Sequence, residues 1–249
     1  MNVLEHLEPK SVFRFFEEMC AIPHGSRNTK AVSDWCADFA RARGLEYHQD
    51  GDNNIIIIKE AAPGYEAAPP VILQGHLDMV CEQTADCQKD MSREGLDLAV
   101  DGDFVYAKGT TLGGDDGIAV AMALALLDAE GLPHPRLEAV FTVDEEIGLL
   151  GAASIDVTPL KGRQMLNLDS EAEGIFTVSC AGGNTSACLL PLTRAPFDGA
   201  GVTVAVGGLT GGHSGAEIHK GRANANVLMG RILRAAARRT ELRLLRVDG

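Results

Sequence analysis

Basic residues, long apolar runs and paired-cysteine motifs are scarce or missing in this sequence. Its 249 residues include 22 Lys and Arg against 35 Asp and Glu, which gives a formal net charge of −13 at pH 7. Nucleic acids and anionic membranes both require a basic face on their partner. The charge balance therefore argues against either partner and favours a small molecule or a peptide.

Signals for export or membrane insertion are also lacking. The first ten residues, MNVLEHLEPK, have neither the basic start nor the apolar stretch of a secretory signal. Apolar runs such as IAVAMALALL, residues 118–127, are far shorter than the roughly 20 residues of a membrane-spanning helix. The six cysteines contain no CxxC pair, which is typical of reduced thiols. We therefore expect a cytoplasmic protein that does not associate with membranes.

Helical and strand patterns alternate through about residue 180. Apolar residues at helical spacing cover residues 9–21 and 28–43, and an apolar helix of small residues covers 117–129. Four short apolar runs predict strands that are covered on both faces. These runs are residues 55–58, 71–73, 137–143 and 165–168. Alternation of this kind predicts an α/β layered domain.

The pattern changes after residue 180. Residues 186–192 and 202–206 predict strands, the glycine-rich segment GGLTGGHSG follows, and residues 224–239 predict a helix. This order predicts the start of a second, α+β domain. Because the sequence stops at LRLLRVDG, just after a strand-like beginning, we expect this domain to be incomplete.

Two polar groups follow predicted strand ends directly. VILQGHLDMV carries His76 and Asp78, and MLNLDSE carries Asp169. An imidazole with a carboxylate two positions on suits a metal ligand whose ring is oriented by that carboxylate. The alternative for HxD is a polar strand end without function.

Two further acidic groups contain adjacent carboxylates. In TLGGDDGI, Asp115 and Asp116 open the apolar helix between glycines, and helix capping accounts for one aspartate but not for both. In FTVDEEIGLLG, neighbouring side chains point in different directions. Glu145 and Glu146 could therefore serve different roles, one binding a metal and the other facing the water on that metal. A solvated acidic loop is the alternative.

All four polar groups lie at or just beyond predicted strand ends, where α/β folds place their ligand sites. Adjacent carboxylates repel one another, and burial removes their hydration, so a positive partner is expected. One imidazole and several carboxylates suit Zn²⁺, with Mn²⁺ or Co²⁺ as substitutes. The sequence therefore predicts a metal pair.

Taken together, these motifs resemble the di-zinc exopeptidases that include the carnosinase-type and aminoacyl-histidine dipeptidases. GHLDMV, TLGGDDGI, VDEEIGLLG, LNLDSE and GGHSGAEIHKGRANAN appear in order at family-like spacing, and IPHGSRN matches near the start. The resemblance implies an α/β fold, with a mixed, mostly parallel sheet flanked by helices in a catalytic domain at residues 1–182. Residues 183–249 would begin an α+β lid domain that forms a homodimer.

The resemblance also implies a ligand set. His76 and Asp169 would bind one zinc ion, Glu146 would bind the other, and Asp115 would bridge the two. In this family the peptide bond between the residues matching Asp115 and Asp116 tends to be cis.

Catalytic and substrate-binding roles follow in the same way. Asp78 would orient the His76 ring, Glu145 would be the general base, and His213 would stabilise the oxyanion, often from the partner subunit. The implied activity is hydrolysis of Xaa-His and related unblocked dipeptides. Residues after the glycine-rich segment are candidate contacts for a substrate carboxylate or carbonyl, which arginine geometry suits. They are Arg222, Asn224 and Asn226.

One departure from the family leaves an alternative open. Family members continue well beyond this length, and a late histidine completes their second zinc site, whereas no histidine follows His219 here. The alternative is a truncated, catalytically impaired chain that binds one metal or none. A serine hydrolase built on GGHSGAE fails the GxSxG pattern at Ala216. A nucleotide site at GGLTGGHSG lacks a following GK[ST].

Overall fold

Two compact units make up the structure, Met1–Cys180 and Ala181–Gly249, called here the first and the second unit. The computed structural model describes residues 3–170, 173–179, 186–212 and 217–248. Within these ranges, each helix is too short or too polar to cross a membrane.

Helices and strands alternate along the described part of the first unit. The helices are α1 (Lys10–Cys20), α2 (Lys30–Ala42), α3 (Gly114–Asp128) and α4 (Leu150–Ser154). The strands are β1 (Glu46–Gln49), β2 (Ile55–Lys59), β3 (Val71–His76), β4 (Leu98–Asp101), β5 (Phe104–Ala107), β6 (Leu137–Thr142) and β7 (Gln164–Asn167).

Five of these strands form one mixed sheet in the order β1-β2-β6-β3-β7. β3 runs parallel to both β6 and β7, whereas β2 is antiparallel to both β1 and β6. β4 and β5 pair separately as an antiparallel hairpin. The parallel core and the flanking helices confirm the predicted α/β fold. The sequence patterns did not predict β1, β4 and β5.

The β-branched run of β2 shows why the sheet is buried on both faces. Ile55 and Ile57 pack into the larger apolar cluster, with α1, α2 and α3, while Ile56 and Ile58 pack into a smaller cluster. Alternate strand residues point to opposite faces, so a run of four isoleucines suits a strand that is covered twice. Each fully buried isoleucine contributes about 1.5–3 kcal/mol.

The strand predictions need two corrections. β7 is an edge strand that pairs only with β3 in the described structure, and its four residues are all exposed rather than covered on both faces. Residues 186–192 and 202–206 are not strands. Leu189 is 96% exposed, and an extended segment without a neighbour to accept its backbone hydrogen bonds is not stable as a strand.

The described part of the second unit contains a short 3₁₀ turn, Ile218–Lys220, and one α-helix, α5 (Ala225–Ala237). α5 confirms the helix predicted there. The Asn224 side chain accepts a hydrogen bond from the Val227 N–H at 3.0 Å and so caps the helix N-terminus.

A charged residue, Glu138, lies fully buried in the middle of the sheet. Its carboxylate accepts hydrogen bonds from Arg136 Nε at 2.7 Å and from the backbone N–H groups of Lys161 and Gly162 at 2.9 Å each. Burial raises the pKa of this carboxyl, but these donors outweigh burial and hold it below its ordinary value. Glu138 therefore attaches the segment that leads into β7 to the central strand β6.

Candidate metal centre

One edge of the sheet collects the predicted site residues of the first unit. His76 is the last residue of β3, Glu145 and Glu146 lie just beyond β6, and Asp169 lies just beyond β7. These three strands are parallel, so their carboxyl ends lie at the same edge. Asp115, in the first turn of α3, reaches the same place.

His76 is buried, and both ring nitrogens are engaged. Nδ1 lies 2.9 Å from the backbone carbonyl oxygen of Asp78 and 3.4 Å from its Oδ1. Nε2 lies 3.0 Å from Asp115 Oδ1. With Nδ1 donating to the carbonyl, Nε2 is the nitrogen that faces the acidic cluster.

The acids around His76 control its protonation. Burial alone lowers the pKa of the imidazole, but Asp115, Asp78 and Asp116 together raise it to about 11. The surrounding acids thus favour the protonated form of the His76 ring. Metal ligands must be deprotonated, so a divalent cation competes with this proton.

Asp115 and Asp116 are joined by a cis peptide bond, as the resemblance implies. Asp116 is buried, and its Oδ2 accepts a hydrogen bond from the His76 backbone N–H at 3.2 Å. Burial, reinforced by Asp169 and Asp115, raises the pKa of Asp116 to about 7. A Cβ on residue 75 would lie 2.7 Å from Asp116 Oδ2, so Gly75 makes room for this carboxylate.

Asp78 connects His76 to the turn after β6. Its carboxylate accepts hydrogen bonds from the backbone N–H groups of Glu145 at 3.0 Å and Glu146 at 3.3 Å. The Ser26 hydroxyl donates a third, at 2.8 Å. Burial raises the pKa of Asp78, but His76 and these donors outweigh burial and hold the pKa below its ordinary value. Asp78 therefore stays ionised. Sequence reasoning missed Ser26, although the quoted IPHGSRN motif contains it.

The two glutamates of the turn differ in their surroundings. Glu145 Oε2 lies 4.0 Å from His76 Nε2. Burial raises the pKa of Glu145, and the charges of Asp169, Asp78 and Asp115 add to this rise. Burial also raises the pKa of Glu146, with Asp115 the next largest cause. Both carboxyls are therefore easier to protonate than an exposed glutamate.

Two groups of these side chains have the spacing of a metal site. His76, Asp115 and Glu146 each offer a ligand atom, and these atoms lie within 4.8 Å of one another. Asp115, Asp116 and Asp169 form a second group by the same measure. One imidazole nitrogen and carboxylate oxygens are donors that zinc and manganese accept, so the residues fit a divalent metal.

This grouping differs from the ligand set that the resemblance implies. In both arrangements Asp115 belongs to two metal positions. The resemblance pairs His76 with Asp169, whereas the structure groups His76 with Glu146 and places Asp169 beside Asp116. Asp116 was not a predicted ligand, but it belongs to the second group.

The predicted substrate contacts lie in the second unit. The Arg222 guanidinium bonds both carboxylate oxygens of Glu217, at 2.7 and 3.1 Å, and also the carbonyl oxygen of Gly211. Asn224 caps α5, and Asn226 is exposed on it. The predicted oxyanion residue, His213, lies outside the described residues.

Comparisons with known proteins bear on this centre. Residues 72–186 match peptidase family M20/M25/M40. The chain is 38% identical over 253 residues to the cytosol non-specific dipeptidase of Escherichia coli (strain K12), which covers 100% of this chain and 52% of that protein.

Solved structures give a similar result. The aminoacylhistidine dipeptidase of Vibrio alginolyticus is 33% identical with a TM-score of 0.68, covering 92% of this chain and 47% of that one. A tripeptidase from Staphylococcus aureus, 22% identical with a TM-score of 0.55 over 66% of this chain and 44% of that one, shares the fold. The chain spans about half the length of these relatives.

The matched segment of residues 72–186 contains every residue of both candidate ligand groups. The segment shared with the family therefore includes the ends of β3, β6 and β7 and the start of α3, which position these ligands. From this agreement of sequence, fold and site, we conclude that residues 72–186 of the chain belong to peptidase family M20/M25/M40.

Proposed function

We propose that this chain is a zinc-dependent dipeptidase that hydrolyses Xaa-His and related unblocked dipeptides. The observation that carries the proposal is the convergence of His76, Asp115 and Glu146, whose ligand atoms lie within 4.8 Å of one another. The names of two relatives described above, a non-specific and an aminoacylhistidine dipeptidase, support the substrate class.

In this proposal the metal pair is held as the family resemblance implies. By that resemblance, His76 and Asp169 would hold one ion and Glu146 the other, with Asp115 available to both and Mn²⁺ or Co²⁺ as substitutes for Zn²⁺. When bound, such a pair polarises the scissile carbonyl and lowers the pKa of a water molecule toward about 7.

Glu145 is the proposed general base. Its backbone N–H is held by Asp78 at 3.0 Å, and its carboxyl lies beside His76 without being a member of either ligand group. A carboxyl whose pKa is raised by burial accepts a proton from the attacking water and donates it to the leaving amine. Asp78 orients His76 in the same step.

The second unit would supply contacts to the substrate. In this proposal His213 stabilises the oxyanion. The substrate carboxylate or carbonyl is contacted by Arg222, Asn224 and Asn226. Arg222 is bound to Glu217 in this structure, so substrate binding would exchange one carboxylate partner for another.

A homodimer formed through the second unit and a cytoplasmic location complete the proposal. The homodimer is proposed from the family resemblance, which places a dimer-forming lid at residues 183–249. The cytosolic location rests on the printed name of the Escherichia coli relative.

Metal analysis combined with a dipeptidase assay on the full 249-residue chain tests the proposal. We expect two zinc ions per chain and hydrolysis of Ala-His, but not of N-acetyl-Ala-His, that stops on treatment with EDTA. Asp115→Ala should lose both ions because Asp115 belongs to both ligand groups. Asp103→Ala, which changes an exposed aspartate of the β4–β5 turn, is the control and should keep both.

Other outcomes separate the alternatives. One tightly bound zinc ion without hydrolysis would favour the catalytically impaired chain. A chain that binds no zinc, or an Asp115→Ala variant with full zinc content, would contradict the proposed centre.

A further inference from the structure

The segment from His24 to Asn28 lies along the chain that follows β3. Gly25 and Met79 form a parallel bridge. The Met79 N–H donates to the His24 carbonyl at 3.2 Å, and the Ser26 N–H donates to the Met79 carbonyl at 3.4 Å. A Cβ on residue 25 would lie 2.5 Å from Cys81 Sγ. A larger residue at position 25 would therefore force the Cys81 side chain to move.

The same segment is also attached to the turn after β6. The Arg27 N–H donates to Asp144 Oδ1 at 2.6 Å. Both residues have positive φ angles, 67° and 55°, which residues other than glycine rarely adopt. The segment thus connects the chain just after His76, the last residue of β3, to the turn after β6 that carries Glu145 and Glu146.

Ser26 makes the side-chain contact at this junction. Its hydroxyl donates to Asp78 Oδ2 at 2.8 Å, while Glu146 N–H donates to the same oxygen at 3.3 Å. Asp78 Oδ1 accepts the Glu145 N–H at 3.0 Å and lies 3.4 Å from His76 Nδ1. The carboxylate is therefore held in one orientation by contacts on both oxygens.

Burial makes the serine contact hard to replace. Asp78 is 1% exposed, so bulk water has little access to the oxygen that Ser26 contacts. A buried carboxylate that loses one of its hydrogen-bond donors is destabilised, which favours its rotation or shift. Any such movement also displaces the His76 ring and the Glu145–Glu146 backbone, because the same carboxylate contacts both.

We propose that Ser26 is a positioning residue of the metal centre, acting through Asp78 on both the His76 ring and the turn that carries Glu145 and Glu146. The inference rests on the proposed metal site, and it assigns Ser26 no contact with metal or substrate. Residues that orient metal ligands in this way typically change metal affinity 10–100-fold when they are replaced.

The test compares three variants of the full chain. Ser26→Ala should weaken zinc affinity about 10–100-fold in competition with a chromophoric chelator and should shift the visible absorption of the Co²⁺-loaded protein. Ser26→Thr keeps the hydroxyl and should restore both. Ser33→Ala removes another hydroxyl with a side-chain partner, Gln49 Nε2 at 2.8 Å, and should change neither.

Amide hydrogen exchange in the metal-free protein provides a readout that does not depend on zinc. Ser26→Ala should speed exchange of the Glu145 and Glu146 amides on the order of tenfold, because their acceptor is less firmly held. Wild-type affinity, Co²⁺ spectrum and amide exchange in Ser26→Ala would overturn the inference. If the wild-type chain bound no zinc, the proposed function would fail, and the exchange rates would still decide the role of Ser26.

Discussion

Glu145→Gln is expected to abolish dipeptide hydrolysis while leaving the zinc content of the chain nearly unchanged. Glutamine has the shape of glutamate but cannot accept the proton of the attacking water. Glu145 lies outside both candidate ligand groups, although its Oε2 is 4.0 Å from His76 Nε2. Positioned general bases contribute about 10²–10⁴-fold to the rate, so kcat should fall by at least that factor with little change in KM.

The neighbouring residue provides the matched control. Glu146 does belong to a ligand group, so Glu146→Gln should lower zinc content and hydrolysis together. The measurement is zinc per chain by mass spectrometry beside kcat and KM for Ala-His. A Glu145→Gln variant with wild-type kcat would exclude its role as base. If both variants lost zinc equally, Glu145 would have to be reassigned as a ligand.

Glu138→Gln is expected to lower the free energy of unfolding of the first unit by about 3–5 kcal/mol at pH 7, the cost of breaking a buried ion pair on one side. The variant leaves the Arg136 guanidinium buried, with its remaining carboxylate partner, Glu60, exposed to solvent. It also weakens the acceptor for the Lys161 and Gly162 N–H groups. Urea unfolding followed by fluorescence of Trp35, the one tryptophan of the sequence, measures the loss.

The pH dependence of this loss has a defined sign. Arg136 and the backbone donors outweigh burial and hold the pKa of Glu138 below its ordinary value in the folded chain. Its stabilisation is therefore complete above the unfolded pKa of about 4.3 and is lost as the pH falls through the lower folded pKa. Wild type and Glu138→Gln should differ most at neutral pH and converge in acid.

An exposed glutamate on α1 serves as the control for Glu138. Glu18→Gln should change the unfolding free energy by less than about 0.5 kcal/mol, as surface substitutions usually do. Equal stabilities of Glu138→Gln and wild type at pH 7 would show that the buried pair contributes nothing net.

The core of the fold could be predicted because its signals are local. Ile55 to Ile58 form a β-branched run of the kind expected in a strand covered on both faces, and α3 is apolar on all sides. β7 was misjudged because an apolar run in an edge strand has the same composition as one in the centre. The false strands at residues 186–192 and 202–206 show a related problem, since a strand requires a hydrogen-bonding neighbour that its own sequence does not specify.

For the site, the sequence by itself determined the chemistry. Imidazole and carboxylate groups at strand ends predicted a divalent metal centre, and the order of the motifs indicated the peptidase family. Only the tertiary structure decided which groups meet, because His76 and Glu146 lie at parallel strand ends on one edge of the sheet and Asp115 reaches that edge from the start of α3. It also revealed Ser26 beside Asp78 at 2.8 Å, a contact across 52 positions that no local pattern specifies.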